Sequence, residues 1–212
     1  MMAAAAGPVR QRRARRESAL VRRKDLLAAT VSCLARLGPR GTTGREICRQ
    51  AGVSHGLLRH YFRNPDNLLL ETYEQLCEEM LAHLDAAATP FEADPRNALH
   101  RYFVAVFSDE WASPEIIGAW MVFWQQARSR EDFAAVSHAF NMRQRALLER
   151  LVTRLPVSAS AHSPTLPLTD AIALLSAVLD GLWIEYYLSD IRTPRARCIA
   201  LSDQAAQLLF AD

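Results

Sequence analysis

The stretch that decides the fold runs from Thr42 to Phe62 and reads TTGREICRQAGVSHGLLRHYF. It contains two segments with the spacing of short helices, separated by a tight turn at Gly52. Thr43 and Glu46 have capping-box spacing, in which the hydroxyl accepts the Glu46 amide and the carboxylate accepts the cap amide. Gly52 permits the positive φ of a sharp turn, and Ser54 is placed to cap the second helix. The stretch predicts a helix-turn-helix with a recognition helix after Ser54.

The side chains of the second helix fit a DNA-reading role. A helix fits the major groove, and slim or polar residues in its first turns, such as His55 and Gly56, let the backbone approach closely. Apolar residues at helical spacing anchor the two helices from inside; they are Ile47, Cys48, Ala51, Leu57, Leu58 and Phe62. Two helices and a glycine turn also occur in many helical proteins, so the surrounding sequence has to decide.

The charge distribution supports an acidic partner. Residues 1–63 carry 14 Lys and Arg against 3 Asp and Glu, a net charge of +11, whereas residues 64–212 carry 11 against 20, a net charge of −9. A basic segment of this kind points first to nucleic acid and second to an anionic membrane surface. The basic arm over 1–17 lacks the Trp and Phe of interfacial helices, which favours double-stranded DNA and no membrane.

Other classes of protein lack their minimum sequence features. The chain has no phosphate-binding loop, no G-x-S-x-G and no paired zinc-ligand histidines, so it is not expected to be an enzyme or to hold a metal or cofactor. Four widely spaced cysteines suggest reduced thiols and a cytoplasmic protein. The strongly apolar run 171–179 is shorter than the roughly 20 residues that cross a bilayer, so no transmembrane helix is expected.

The remaining chain reads as all-α. The first helix should run from about Ser18 to Leu37 and stop at Gly38-Pro39, with no period-two run anywhere to support a sheet. Four pairs of a capping residue and a proline open later helices: Asn64-Pro65, Asp94-Pro95, Ser113-Pro114 and Thr193-Pro194. Further helices are predicted at 65–88, 95–110, 114–127, from Ser129 and Asp132 to about Leu155, at 169–188 and at 194–210. A mobile loop is predicted over 156–168.

The string L-x-x-A-x-x-x-x-x-x-x-x-G, then T-T, I-C-x-x-A-G-V-S-x-G-L-L-x-H-Y-F and L-L, over about Arg22 to Glu71, resembles the tetracycline-repressor (TetR) family of bacterial regulators. The resemblance implies a three-helix DNA-binding domain over 18–64, followed by a ligand-binding and dimerisation domain over 65–212. One departure is Pro65, where the family usually has a phosphate-contacting Lys, so that contact is either lost or replaced by Arg63. The resemblance implies DNA contacts from Thr43, Arg45, Ser54, His55, Gly56, Leu57, Arg59, His60, Tyr61 and Arg63.

The second domain offers a candidate effector site. Asp180 interrupts an apolar helix, and a buried carboxylate needs a hydrogen-bonded or cationic partner, either an Arg of a neighbouring helix or a cationic ligand. Aromatic residues are dense over 95–127; at helical spacing they usually fill a core, yet ring faces also bind quaternary ammonium groups. The candidate ligand residues are Trp111, Trp120, Trp124, Asp180, Trp183 and Tyr187.

The strings H-Y-F, W-x-x-F-W and D-G-L-W also resemble the choline-responsive, BetI-like branch of the family. This resemblance implies a repressor released by choline or a related quaternary ammonium compound. The alternative is the same DNA-binding role with a different hydrophobic or cationic effector, as in an efflux regulator. The apolar helices near 169–188 and 194–210 predict a homodimer that presents two recognition helices to a palindromic operator.

Overall fold

The structure is a computed structural model that describes residues 8–155, 166–188 and 194–210. These residues form nine α-helices and no strand, which confirms the all-α prediction. The helices are α1 (Pro8–Gly41), α2 (Gly44–Ala51), α3 (His55–Tyr61), α4 (Pro65–Ala88), α5 (Pro95–Val106), α6 (Pro114–Ala127), α7 (Glu131–Val152), α8 (Leu168–Leu188) and α9 (Arg195–Phe210). A single 3₁₀ turn, Thr89–Phe91, follows α4.

The chain divides into two compact units, residues 1–72 and 73–212. The division falls within α4 after Thr72, eight residues beyond the predicted boundary at 64. In the first unit, residues from α1, α2, α3 and the start of α4 form one apolar core: Leu26, Leu27, Ala29, Cys33, Ile47, Cys48, Leu58, Phe62 and Leu68. Cys33 and Cys48 are small residues within this core, where their side chains leave room for closely packed helices.

The first helix starts earlier than the predicted Ser18. It begins at Pro8, so residues 8–17 of the predicted basic arm are helical. Proline at a first helical position followed by Arg, Gln and Ala, all good helix formers, explains the earlier start. Near its other end the helix is kinked at Gly38, whose φ of 65° confirms the predicted break.

The predicted capping residues open most of the later helices. Side chains of Asn64, Asp94 and Ser113 each accept a backbone N–H three residues on, which confirms three of the four cap-proline pairs. The bonds run from Asn67 N (2.8 Å), Asn97 N (3.2 Å) and Ile116 N (3.3 Å). Thr193, the fourth capping residue, and most of the loop predicted over 156–168 lie outside the described residues.

Two helix predictions were wrong in detail. Helix α7 begins after Arg130 rather than at Ser129, because the Asp132 carboxylate accepts the Phe133 amide and pairs with the Arg130 side chain. Helix α5 ends at Val106 instead of 110. The backbone carbonyl of Ser108 accepts hydrogen bonds from the amides of Trp111 and Ala112, and this turn replaces the end of the predicted helix.

Helix α8 is 21 residues long with a mean hydropathy of 1.4, and it is the single helix in the described part of the chain that could cross a membrane by length and composition. The apolar part of α8 is therefore longer than the run 171–179 on which the prediction was based. A helix in a protein core passes the same test, and Leu175, Leu179 and Trp183 of α8 are buried against the rest of the second unit.

Candidate functional sites

The helix-turn-helix is assembled by local bonds that the sequence predicts. The Thr43 hydroxyl accepts the Glu46 amide at 3.2 Å, and the Ser54 hydroxyl accepts the Leu57 amide at 3.2 Å. Between them Gly52 has φ 64° and ψ 32°, the left-handed conformation that ends α2. These bonds set the angle at which α3 leaves the turn.

The second half of the predicted capping box does not form. The Thr43 amide donates to the Gly41 carbonyl at 3.0 Å, which leaves the Glu46 carboxylate without its cap partner. Glu46 instead accepts hydrogen bonds from the Arg49 guanidinium and lies 3.7 Å from Arg36. The bond from Arg49 lowers the pKa of Glu46.

The predicted DNA-contacting residues lie on the surface of the first unit. Eight of the ten are exposed, and Leu57 and Tyr61 are half-buried. The exposed residues are Thr43, Arg45, Ser54, His55, Gly56, Arg59, His60 and Arg63. The two half-buried side chains, with their neighbour Leu58 fully buried, orient the helix so that its polar residues point outward.

The exposed arginines of the helix-turn-helix differ in whether the guanidinium group has an acidic partner. Arg45 and Arg49 are both exposed on α2, but Arg49 is held by Glu46. Arg45, Arg59 and Arg63 have no acidic partner among the residues that the structure describes. These three guanidinium groups can therefore bind an external anion without breaking an internal ion pair.

Gly44, the first residue of α2, lies beside His55. A methyl group added at Gly44 would be 3.6 Å from His55 Nε2, an ordinary van der Waals distance. The first residue of α2 and the first residue of α3 are therefore near neighbours on one surface. A side chain at position 44 would crowd this surface without clashing.

Within the second unit, four of the six predicted ligand residues line one void. Trp120 and Trp124 come from α6, and Asp180 and Trp183 from α8. The other lining residues are Met80, Val106, Phe140, Asn141, Gln144 and Leu179. The void has a volume of ≈ 30 Å³, enough for one water molecule and smaller than a quaternary ammonium ligand.

The rings around the void pack edge to face. Trp183 meets Trp120 at a centroid distance of 5.9 Å and Trp124 at 6.3 Å, and Phe140 meets Trp120 at 5.1 Å. Trp183 Nε1 is buried and has no hydrogen-bond partner among the described residues. The rings around the void therefore contact one another, and the indole N–H of Trp183 adds a polar group to them.

Asp180 differs from the buried carboxylate that the sequence suggested. The residue is exposed in the single chain because it lies on the flank of α8, between the core and the outer face. Protein atoms crowd its carboxyl group and raise its pKa to about 6, while Arg145 of α7 acts in the opposite direction. Near neutral pH the group is an anion whose charge is poorly solvated, which favours a cationic partner.

Trp111 and Tyr187 do not line this void. Trp111 is buried elsewhere, with its ring 5.9 Å from the His83 ring, and Tyr187 is half-buried further along α8. Sequence reasoning missed Phe140 and Gln144, two buried residues one turn apart on α7. Their i, i+4 spacing and a buried glutamine amide were the available signals.

A roomier cavity of ≈ 190 Å³ lies between α5 and α9, and none of the predicted ligand residues lines it. Its walls include Leu99, Phe210 and the His100 ring, whose Nδ1 is 2.9 Å from Asp203 Oδ2. A cavity with one phenyl ring, no indole in its lining and an already paired carboxylate is a poorer match for a cation than the tryptophan-lined void.

Helices α8 and α9 carry apolar side chains that are exposed among the residues that the structure describes. Leu174, Leu188 and Leu208 are 48 %, 61 % and 82 % exposed, and Leu168 and Val178 are exposed beside them. Large exposed aliphatic residues concentrated on two neighbouring helices are typical of a protein interface.

Two family descriptions match the chain. "Bacterial regulatory proteins, tetR family" matches residues 26–72, and "BetI-type transcriptional repressor, C-terminal" matches residues 95–211. An HTH-type transcriptional regulator BetI of Paraburkholderia xenovorans is 28 % identical over 169 residues, covering 80 % of this chain and 83 % of that protein. The Burkholderia ambifaria protein of the same name is 27 % identical over 90 % of this chain and 95 % of its own length.

Solved structures share the fold. A putative transcriptional regulator from Pseudomonas aeruginosa superposes with a TM-score of 0.76 at 30 % identity, over 90 % of both chains. A putative regulator from Saccharomonospora viridis, solved in complex with choline, superposes with a TM-score of 0.72 at 16 % identity, covering 86 % of this chain and 93 % of its own.

Proposed function

The chain belongs to the tetR family of bacterial regulatory proteins, with a BetI-type C-terminal domain, and we propose that it is a dimeric repressor released from palindromic operator DNA by a quaternary ammonium effector. Members of this family are transcriptional regulators rather than enzymes. The observation that supports the effector class best is the lining of one void by three tryptophans and one poorly solvated carboxylate.

The DNA-binding role rests on α2 and α3. Arg45 and His55 would read base edges in the major groove, while Thr43 and Tyr61 would contact phosphates and set the register. Arg63 would take the phosphate contact that the usual lysine makes, since Pro65 has no side chain for it. The basic residues of 1–17 would add contacts outside the major groove, so that deletion of residues 1–16 lowers DNA affinity without unfolding the protein.

The dimer rests on the exposed apolar face of α8 and α9. A second copy would cover Leu174, Leu188 and Leu208, and pairing two helices from each chain would form a four-helix interface. A twofold dimer presents its two recognition helices to two half-sites, which is why the operator should be palindromic. The protein acts in the cytoplasm in this proposal, where its DNA lies.

The chemistry of the effector follows from the lining. A quaternary ammonium group cannot donate a hydrogen bond, so a site for it uses ring faces and a nearby anion. Trp120, Trp124 and Trp183 supply indole rings, each worth ~0.5–2 kcal/mol to a bound cation, and Asp180 supplies the charge. Choline and betaine aldehyde are the cations to test first.

The small size of the void suggests how the effector would act. A volume of ≈ 30 Å³ holds no quaternary ammonium ion, so binding requires the helices around the void to separate. A ligand that binds only the opened arrangement shifts the protein toward it, and this difference in affinity is what could weaken operator binding. Met80 is one of the lining residues, so α4, which begins at Pro65, forms part of the wall that must move.

The test combines operator selection with an effector titration. An operator is selected from random duplexes with the full-length protein, and its release by choline is followed by fluorescence anisotropy. We expect Asp180→Asn to abolish release by choline, because the ammonium group then has no carboxylate to pair with. Operator affinity and dimer mass should be unchanged. Asp170→Asn, an exposed aspartate on the same helix, is the matched control and should release normally.

The competing effector classes give a different result in the same experiment. Wild-type protein that shows neither calorimetric heat nor thermal stabilisation with millimolar choline or betaine aldehyde contradicts the quaternary ammonium proposal. A panel of hydrophobic amines and uncharged aromatics then tests the efflux-regulator alternative, and stabilisation by these compounds would favour it.

A further inference from the structure

A surface groove lies on the other side of one wall of the tryptophan-lined void. The groove runs between α4 and α7 and has a volume of ≈ 520 Å³. Its apolar walls are Cys77 and Leu81 from α4 and Ala135, Val136 and Ala139 from α7. Phe140 lines both the groove and the void, and it is the only residue common to the two linings.

The Phe140 ring is held in place by the aromatic frame. Phe140 is only 7 % exposed, and its ring meets the Trp120 ring edge to face at 5.1 Å and 64°. Trp120 in turn packs against Trp183. The Phe140 side chain therefore belongs both to the wall of the void whose rings would bind a cationic head and to the wall of a groove with room for a longer substituent.

We propose that Phe140 determines effector size, by closing the void toward the α4–α7 groove and restricting binding to small trimethylammonium compounds. This inference rests on the quaternary ammonium site proposed above. Without the ring, an N-alkyl chain attached to the bound head would pass through the position of Phe140 and lie along Leu81, Val136 and Ala139.

The groove suits an alkyl chain chemically. Its floor is made of aliphatic and small side chains, and its polar residues are Glu74 and the Glu78–Arg143 ion pair. The Glu78 carboxylate accepts hydrogen bonds from both terminal nitrogens, Nη1 and Nη2, of Arg143. The two charged groups therefore satisfy each other without a contact to the ligand. Each methylene buried in the groove would increase affinity about fourfold.

The experiment compares choline with octyltrimethylammonium by isothermal titration calorimetry on the full-length protein. We expect the wild type to bind choline more tightly, and Phe140→Ala to raise the ratio of octyltrimethylammonium to choline affinity by about tenfold or more. Phe133→Ala is the matched control, because Phe133 is fully buried against Tyr73 and Phe123 and lines neither the groove nor the void. Its ratio should equal that of the wild type.

Thermal unfolding establishes which variants are folded. If Phe140→Ala is not folded, Phe140→Leu provides the test, with a smaller increase in the same direction. A folded Phe140 variant with the wild-type ratio overturns the size-selecting role while leaving choline as the effector. Wild-type protein that binds neither cation overturns the proposed effector class, and the role of Phe140 with it.

Discussion

The turn at Gly52 and the void beside Trp183 are built in opposite ways. The turn depends on hydrogen bonds that span three residues and on one glycine in a left-handed conformation. The void depends on five helices, with lining residues from Met80 to Trp183. The DNA-binding element is therefore specified locally, whereas the proposed effector site exists only when distant helices pack together.

The largest expected difference between the two regions is their response to salt. DNA binding through roughly 6 to 10 phosphate contacts should weaken by 10³ to 10⁵ between 50 and 200 mM salt, because counterions are released from the duplex. Choline binding to one carboxylate and neutral rings should change far less. Anisotropy for DNA and calorimetry for choline measure the two slopes; equal slopes would remove the proposed difference in chemistry.

Core truncation should separate the two regions next. Phe62→Ala removes a fully buried ring from the first core and should lower the free energy of unfolding by about 3–5 kcal/mol. Because Phe62 adjoins the recognition helix, operator binding should be lost while the calorimetric heat of choline binding remains. Chemical denaturation and calorimetry check both parts.

Among the exposed arginines of α2, Arg45 and Arg49 should behave differently. Arg45→Ala should cost about 1–3 kcal/mol of discrimination between the selected operator and a mismatched duplex, since a base-reading contact is lost. Arg49→Ala, whose guanidinium is held by Glu46, should leave that discrimination unchanged. Competition binding with mutated operators measures it, and equal losses for the two variants would contradict the assignment of Arg45.

The pH dependence of stability should report on Asp180. Its pKa is raised to about 6 in the folded chain from 3.8, so ionisation costs the folded state stability as the pH rises through 6. We expect Asp180→Asn to have a higher Tm than the wild type at pH 8, where the carboxylate is charged. The difference should disappear below pH 3.8, where the carboxyl group is protonated in both the folded and the unfolded chain, and thermal scans across this pH range measure it.

The smallest expected effect concerns the ion pairs between α4 and α7. Arg143 and Glu78 are 54 % and 62 % exposed, so water screens their attraction. Arg143→Gln should therefore change the free energy of unfolding by about 0.2–1 kcal/mol. Urea denaturation measures this value, and a loss of several kcal/mol would mean that the second unit is held together by charge rather than by its rings.

Sequence reasoning succeeded where a structural signal is contained within a few residues. Asn64, Asp94 and Ser113 cap their helices as predicted, since a cap needs only a side-chain oxygen three residues before its amide donor. It failed for Glu46, because the carboxylate pairs with Arg49, three residues on in the same helix, instead of with the cap amide. The start of α1 was also predicted wrongly, at Ser18 instead of Pro8, because small differences in intrinsic helix propensity decide where this helix begins.

For the candidate effector site, the sequence supplied residue types but could not assemble them. It marked Trp111 as well as Trp120, yet the first ring lies beside His83 and the second lines the void. It missed Phe140, whose importance comes from standing between two openings.

The helices and the turn at Gly52 could therefore be predicted from the sequence, because they follow from spacing, capping chemistry and one positive φ, while the family was implied by the resemblance of one motif string. Which rings meet and how large the void is could be learned from the tertiary structure alone. Those properties depend on contacts between helices distant in the chain, and a one-dimensional pattern does not contain the packing that selects among them.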